Sequence, residues 1–185
     1  MTVSVIGETE KRPVLYTLLK IFQHLGDVLI VTNNRHLGRL IEEDDNDFGV
    51  VRAGHFQNTF IVITDKTPDE AMLEVGYESS DYEFIIYDDK LEVSSDLILH
   101  VTGCSVSSTE EDVFSYMDSS DYVELPLGFG KGNIPYTTSM FKNCELVEGK
   151  HTLLPIDANI TSRLVKLLSP ILNIDIKTLK KVVSK

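Results

Sequence analysis

The chain of 185 residues is 42% hydrophobic and 25% charged, with a formal net charge of −12. That composition is ordinary for one globular domain whose core needs no disulfide or metal support. It excludes a membrane-spanning helix, because no apolar run approaches the ~20 residues of a span.

No charged-then-apolar leader opens the sequence. Cys104 and Cys144 form no CxxC pair and imply no disulfide framework. The expectation is a cytoplasmic protein, with attachment to a membrane surface or a larger machine as the alternative. Charge is unevenly spread. Residues 1–149 carry 10 Lys/Arg against 27 Asp/Glu, a balance of −17, whereas residues 150–185 carry 7 against 2, a balance of +5. An acidic body argues against nucleic acid as a partner, since phosphate binding needs a basic face. The basic tail is a separate feature with its own partner to find.

Residues 3–6 read as a buried strand. Pro13 then suits the first turn of a helix, where its missing N–H is not needed. Val14, Leu15, Leu18, Leu19, Ile21, Phe22 and Leu25 recur at helical spacing, with Gly26 as the stop. Residues 28–31 form a second strand, and residues 34–43 a short helix with Leu37, Leu40 and Ile41 on one face. This alternation favours a parallel sheet with crossover helices. The acidic run 42–47 reads as a solvated loop, because it lacks the glycine and terminal glutamate of a calcium loop. Val50-Val51 and residues 60–63 read as an antiparallel pair about a turn at Ala53-Gly54.

Thr67-Pro68-Asp69-Glu70 carries a capping box and starts a helix to about Val75. Two strands follow, residues 84–87 and 97–101, the first ending in Asp88-Asp89. Those carboxylates fall at the strand ends where open α/β sheets bind ligands. With Asp65 they could hold a divalent ion, although a strand-end cap is the preferred reading. A helix over residues 108–117 and a strand over residues 122–125 come next, the strand ended by Pro126. Gly128-Phe129-Gly130-Lys131-Gly132 is glycine-rich but runs into Ile134-Pro135 and no helix, so it reads as a loop. Residues 136–152 are ambiguous, residues 153–155 suit an edge strand, and Asp157 or Asn159 caps a helix over residues 160–168 broken by Pro170 and Asn173. No histidine pair has ligand spacing, and His100, alternating with apolar residues, reads as a core histidine.

The segment 173–185 predicts a basic amphipathic helix. It places Ile176, Leu179 and Val183 on one face and Lys177, Lys180 and Lys181 elsewhere. Packing on its own domain is the first reading. Contact with a protein partner or second copy is the next, and contact with an anionic membrane surface the weakest, since no Phe or Trp supports insertion. The organisation expected is one α/β domain over residues 1–170, with a mostly parallel Rossmann-like sheet flanked by helices on both faces, and a C-terminal helix over residues 171–185.

The order of strands 3–6, Val28-Leu29-Ile30-Val31, Asp81-Tyr82-Glu83-Phe84-Ile85-Ile86-Tyr87-Asp88, Ser95-Asp96-Leu97-Ile98-Leu99 and Leu154-Pro155-Ile156-Asp157 resembles the MinD/ParA group of P-loop ATPases, including its CpaE (TadZ) branch. The resemblance implies a strand–phosphate loop–helix opening, with Asp88 matching the family's magnesium-linked aspartate. The departures fall on the catalytic parts. The first loop, Gly7-Glu8-Thr9-Glu10-Lys11-Arg12-Pro13, holds one glycine, two carboxylates, a proline, and no Ser/Thr after its cations. Thr32-Asn33-Asn34 replaces the acidic residue after the second strand. The resulting expectation is a pseudo-ATPase rather than an enzyme: a ParA/MinD-like interaction or positioning module, a scaffold with a protein partner or a dimer of itself, and no cofactor or metal. Gly7, Lys11, Arg12, Thr32, Asn33 and Asp88 would be its vestigial nucleotide site. The alternative is a Rossmann-like small-ligand or nucleotide-binding protein with weak or no hydrolysis, built on Asp88, residues 32–34 and Lys11.

Overall fold

The structure is a computed structural model that describes residues 1–7, 9–41, 47–48, 51–90, 94–103, 121–128, 133–135, 137–153 and 157–184. Eight strands form one sheet: β1 (Thr2–Ile6), β2 (Val28–Thr32), β3 (Asp47–Phe48), β4 (Val51–Phe56), β5 (Thr59–Ile63), β6 (Phe84–Asp88), β7 (Leu97–Gly103) and β8 (Asp121–Leu127). Their spatial order is β3-β4-β5-β2-β6-β1-β7-β8. From β5 to β8 every pairing is parallel, and only the β3-β4-β5 end is antiparallel. Among the described residues five α-helices accompany them: α1 (Arg12–Gln23), α2 (Pro68–Val75), α3 (Thr138–Lys150), α4 (Ala158–Leu172) and α5 (Ile176–Val183).

The central strands are apolar on both faces because both faces are covered, as parallel sheets require. Successive side chains alternate across β2. Val28 and Ile30 enter the core shared with α1, α3, α4 and α5, while Leu29 and Val31 enter a second core with Ala71, Met72 and Val75 of α2. Helical spacing alone predicts an α1 with one buried stripe. Instead every residue from Arg12 to Phe22 is buried. The cause is tertiary: α3, α4 and α5 form an outer layer over α1, so it is enclosed between that layer and the sheet. Phe22 stacks on Phe84 with ring centroids 4.5 Å apart, and each such side chain contributes about 1.5–3 kcal/mol by leaving water.

Several local expectations hold. Thr67 and Glu70 close the capping box of α2, and Asp157 accepts from the backbone N–H of Asn159 (2.7 Å) and Ile160 (3.1 Å) to start α4. His100 is a core histidine, its Nδ1 2.6 Å from the Tyr122 hydroxyl. Residues 138–150, ambiguous in sequence, are helical.

Other expectations are corrected. The hairpin turn lies at Gln57-Asn58, not Ala53-Gly54. Gln57 takes a left-handed φ of 55°, and the Asn58 amide donates to the carbonyls of Gln23 (3.0 Å) and Gly26 (2.7 Å), contacts no local pattern reveals. Instead of a helix over residues 34–43 there is a 3-10 helix, Arg35–Arg39. Gly38 packs against Arg52 and Ile63 there, and glycine weakens a longer α-helix. Pro126 does not end β8, which continues to Leu127. As an edge strand of the sheet, β8 tolerates a residue with no N–H. Pro170 likewise does not break α4, which ends at Asn173 in a left-handed turn. A domain boundary at 170/171 therefore falls inside a helix. The helix expected at 108–117, the acidic run 42–46, most of the glycine-rich loop (129–132) and most of the expected edge strand at 153–155 lie outside the described residues.

Candidate functional site

β1 lies between β6 and β7. The chain leaves β1 toward β2 on one side and leaves β7 toward β8 on the other. The crevice outside the carboxyl ends of such diverging strands is where open α/β sheets place ligands. Four of the predicted site residues meet there: Gly7 after β1, Lys11 before α1, Thr32 at the end of β2, and Asp88 at the end of β6.

Gly7 takes φ +129°, and a Cβ there would stand 2.1 Å from the Val101 carbonyl oxygen. The chain can turn out of β1 this close to β7 only as glycine. From that turn Lys11 folds back. Its Nζ donates to the Gly7 carbonyl (2.9 Å) and forms an ion pair with Asp89. The Asp88 Oδ1 lies 3.5 Å from the same ammonium. Thr32 donates its hydroxyl hydrogen to Asp88 Oδ2 (2.7 Å) and accepts from the Asn34 N–H (2.9 Å). Asn33 is exposed beside them. Asp88 is only 1% exposed, and among the described residues its Oδ1 has no hydrogen-bond partner. Burial raises its carboxyl above the ordinary aspartate value. Lys11 and Thr32 oppose that shift, and Asp89 adds to it.

The first turn of α1 is the part that would cradle a phosphate, and its donors are already used. The Arg12 N–H donates to Glu10 Oε1 (3.1 Å). Pro13 has no N–H, and the N–H groups of Val14 and Leu15 both reach the Lys11 carbonyl (2.9 Å each). Glu10 occupies the place of an anion at this helix start.

Arg12 does not join the sheet-end cluster. Its guanidinium turns away to Glu10 Oε2 (2.9 Å) and to Glu148 Oε1 of α3 (2.7 Å). Glu148, itself buried, also accepts from the Tyr16 hydroxyl (2.9 Å) and from Arg39 (2.9 Å). Burial favours the neutral acid at Glu10, but Arg12's hydrogen bonds and charge outweigh it and hold that carboxyl low. Burial pushes the nearby Cys144 thiol up to about 12, so it stays protonated at neutral pH. Sequence reasoning placed Asp89 at the strand end and Glu10 in the first loop without their partners Lys11 and Arg12, and it missed Glu148, Arg39 and Tyr16. It also missed buried Lys90, whose Nζ donates to the carbonyls of Thr64 (3.1 Å) and Lys66 (2.7 Å). Asp89 was the legible one, adjacent to Asp88 in an acidic pair. Among the described residues no cluster of three or more His, Cys, Asp or Glu could hold a metal ion, and no helix is long and apolar enough to cross a membrane.

No family model matches this sequence, and no curated protein is significantly similar to it. Solved structures are. Apo McdA from Cyanthece superposes with a TM-score of 0.51 at 11% identity, covering 98% of each chain. The fold is of the MinD/ParA type. MinD from Aquifex aeolicus (TM-score 0.49, 13% identity, 100% of this chain and 97% of that one) is also similar, as is cobyrinic acid a,c-diamide synthase from Mycobacterium smegmatis with bound ADP and magnesium (0.49, 10%, 91% and 94%). The cluster of Gly7, Lys11, Thr32 and Asp88 stands at the carboxyl-end edge of the sheet. The C-terminal candidates divide. Leu179 and Val183 are buried in the core beside α1 and α4, while Ile176, Lys177, Lys180 and Lys181 are exposed.

One consequence concerns stability. Because the folded chain holds the Asp88 proton more tightly than the unfolded chain, this group's contribution is full below the ordinary aspartate range. It is lost as pH rises through the raised value. Asp88→Asn, neutral throughout, is expected to be more stable than wild type at neutral pH, since the amide is spared the desolvation that the buried carboxylate suffers. The difference should shrink toward acid pH in thermal melts. A variant less stable than wild type at neutral pH would show that the Lys11 pair outweighs desolvation.

Proposed function

We propose that this chain is a ParA/MinD-like module that does not hydrolyse nucleotide and acts by binding protein, as a scaffold or positioning element. The observation that carries the reading is the state of the α1 start: its described N–H donors end on Glu10 and Lys11, and the loop's two cations end on carboxylates. A triphosphate would have to displace Glu10 from the helix end and Asp89 from Lys11, exchanging satisfied charge pairs for new ones. It would also find Arg12 committed to Glu148. Calorimetric titration with ATP and magnesium tests this. The expected result is no saturable heat into the high micromolar range, a binding free energy weaker than about −4 to −5.5 kcal/mol. Magnesium-dependent micromolar binding would overturn it.

One observation favours the second reading, a site that binds a small ligand without hydrolysis. Among the described residues Asp88 Oδ1 is a buried acceptor at the sheet edge with no hydrogen bond, its nearest cation being the Lys11 ammonium at 3.5 Å, and a donor placed closer would be stabilising. Under this reading nucleosides or other ligands with N–H or O–H donors bind without magnesium. Asp88→Asn abolishes that binding.

A further inference from the structure

Two exposed apolar patches of opposite charge lie on opposite faces of the sheet. On one face, α2 buries Ala71, Met72 and Val75 but leaves Leu73 85% exposed. Tyr77 follows at its end, 43% exposed and packed on Phe60 with ring centroids 4.5 Å apart. Residues 64–83 around this patch hold seven Asp/Glu against one Lys, and that lysine, Lys66, is paired with Glu74 (2.7 Å). On the other face, α4 and α5 meet at the left-handed turn of Asn173. Ile171 and Ile176 flank the turn, 37% and 42% exposed, and Lys177, Lys180 and Lys181 are exposed beside them. Leu179 and Val183 anchor α5 in the core, so the lysines are displayed from a fixed helix and not from a loose tail.

An isolated exposed leucine needs no explanation. Here one sign predominates around each apolar pair, acidic at α2 and basic at the α4–α5 corner, where Asp175 is the exposed carboxylate among three lysines. The two fields are opposite, which is the arrangement that steers and registers a contact between proteins. We propose that the α4–α5 corner of one chain docks on α2 of a second copy, with Ile171 and Ile176 against Leu73 and Tyr77 and the lysines against Glu70, Glu74 and Glu78. The two surfaces differ, so the contact is heterologous. Each docking leaves one free acidic face and one free basic face, and the assembly grows into a ring or a filament rather than closing as a twofold dimer. An anionic membrane is the less fitting occupant of the α5 surface. Two isoleucines without an aromatic residue insert weakly, and residues 1–149, at −17, are repelled by such a surface. The proposal rests on the reading of this chain as an interaction module but uses no atom of the nucleotide loop.

Sedimentation velocity over a range of concentrations tests it, using wild type, Leu73→Lys/Glu78→Lys, and Lys180→Glu/Lys181→Glu. All four positions are exposed, and circular dichroism confirms that each variant is folded. Wild type is expected to form species larger than a dimer that dissociate in high salt, and each variant alone should associate about ten-fold more weakly or worse. The deciding sample is an equimolar mixture of the two variants. One retains only the basic face and the other only the acidic face, so the mixture should form a 1:1 heterodimer and stop there. A wild type that stays monomeric at every concentration overturns the proposal, as does a mixture that does not pair. Co-sedimentation of wild type and Leu73→Lys/Glu78→Lys, but not Lys180→Glu/Lys181→Glu, with phosphatidylglycerol vesicles assigns α5 to a membrane and also overturns it. If magnesium-ATP binds and is hydrolysed and the mixture still pairs, the non-hydrolysing reading falls and the docking stands.

Discussion

Glu148→Ala is expected to cost about 3–5 kcal/mol of folding stability, the range for removing one member of a buried, hydrogen-bonded charge pair. The loss is large because one carboxylate serves three elements. It accepts from Arg12 and Tyr16 at the start of α1 and from Arg39 of the 3-10 helix. Removing it strands the Arg12 guanidinium, whose Nε has no hydrogen-bond partner among the described residues, with Glu10 alone. It also leaves a buried tyrosine hydroxyl without its acceptor. Glu148→Gln keeps an acceptor but not the charge and should fall between the two. Urea unfolding followed by circular dichroism reads both, through a lower midpoint at unchanged slope. A loss below about 1 kcal/mol would mean that water reaches the cluster and that it behaves as a surface ion pair.

Gly7→Ala is expected to be the other severe change, destabilising by about 3 kcal/mol or more through combined backbone strain and steric overlap. The new Cβ would meet the Val101 carbonyl oxygen at 2.1 Å and the Val101 carbonyl carbon at 3.0 Å. Val101 cannot withdraw, because β7 is held between β1 and β8 with Val101 registered on Leu125. The φ of +129° adds strain that no side-chain rotation relieves. Gly149 is the contrasting control. It lies in α3, and a Cβ added there would meet nothing within 4 Å. Gly149→Ala is therefore expected to stabilise by about 0.5–1 kcal/mol through helix propensity. Thermal melts of the two variants should shift in opposite directions. Similar melting temperatures would show that the β1–β7 contact relaxes freely.

Both effects bear on the sheet-end cluster. Gly7 sets where the first loop leaves β1, and Glu148 holds Arg12 away from that loop's concave side. Lys11 is left as the loop's one cation at the sheet edge, and it is taken up by Asp88 and Asp89. A variant that frees Arg12 would change the charge of the loop as well as the stability of the chain. Nucleotide titration of Glu148→Gln is therefore an informative companion to the stability measurement.

The elements with local signals are legible in the residues themselves. Continuous apolar runs mark β2 and β6, the Thr67–Glu70 capping box marks α2, and Asp157 marks the start of α4. Those signals depend on neighbours within about four residues along the chain, where backbone hydrogen bonding and side-chain periodicity act. The ligand edge is legible for the same reason: Gly7, Lys11, Thr32 and Asp88 stand at strand ends, and a parallel sheet brings strand ends together. What lies beyond the sequence is decided by contacts across the chain. Asn58 turns the hairpin because the Gln23 and Gly26 carbonyls await it. All sides of α1 are buried because α3, α4 and α5 come back over it, and Lys11 and Arg12, adjacent in sequence, face different carboxylates. Arg12 meets Glu148 across 136 positions, and no local pattern encodes that pairing. The sequence by itself determined a mostly parallel α/β sheet and the residues at its carboxyl-end edge. Only the tertiary structure decided that the loop's two cations and its helix-start donors are satisfied from within, because buried charge is stabilised by the partners that packing brings to it.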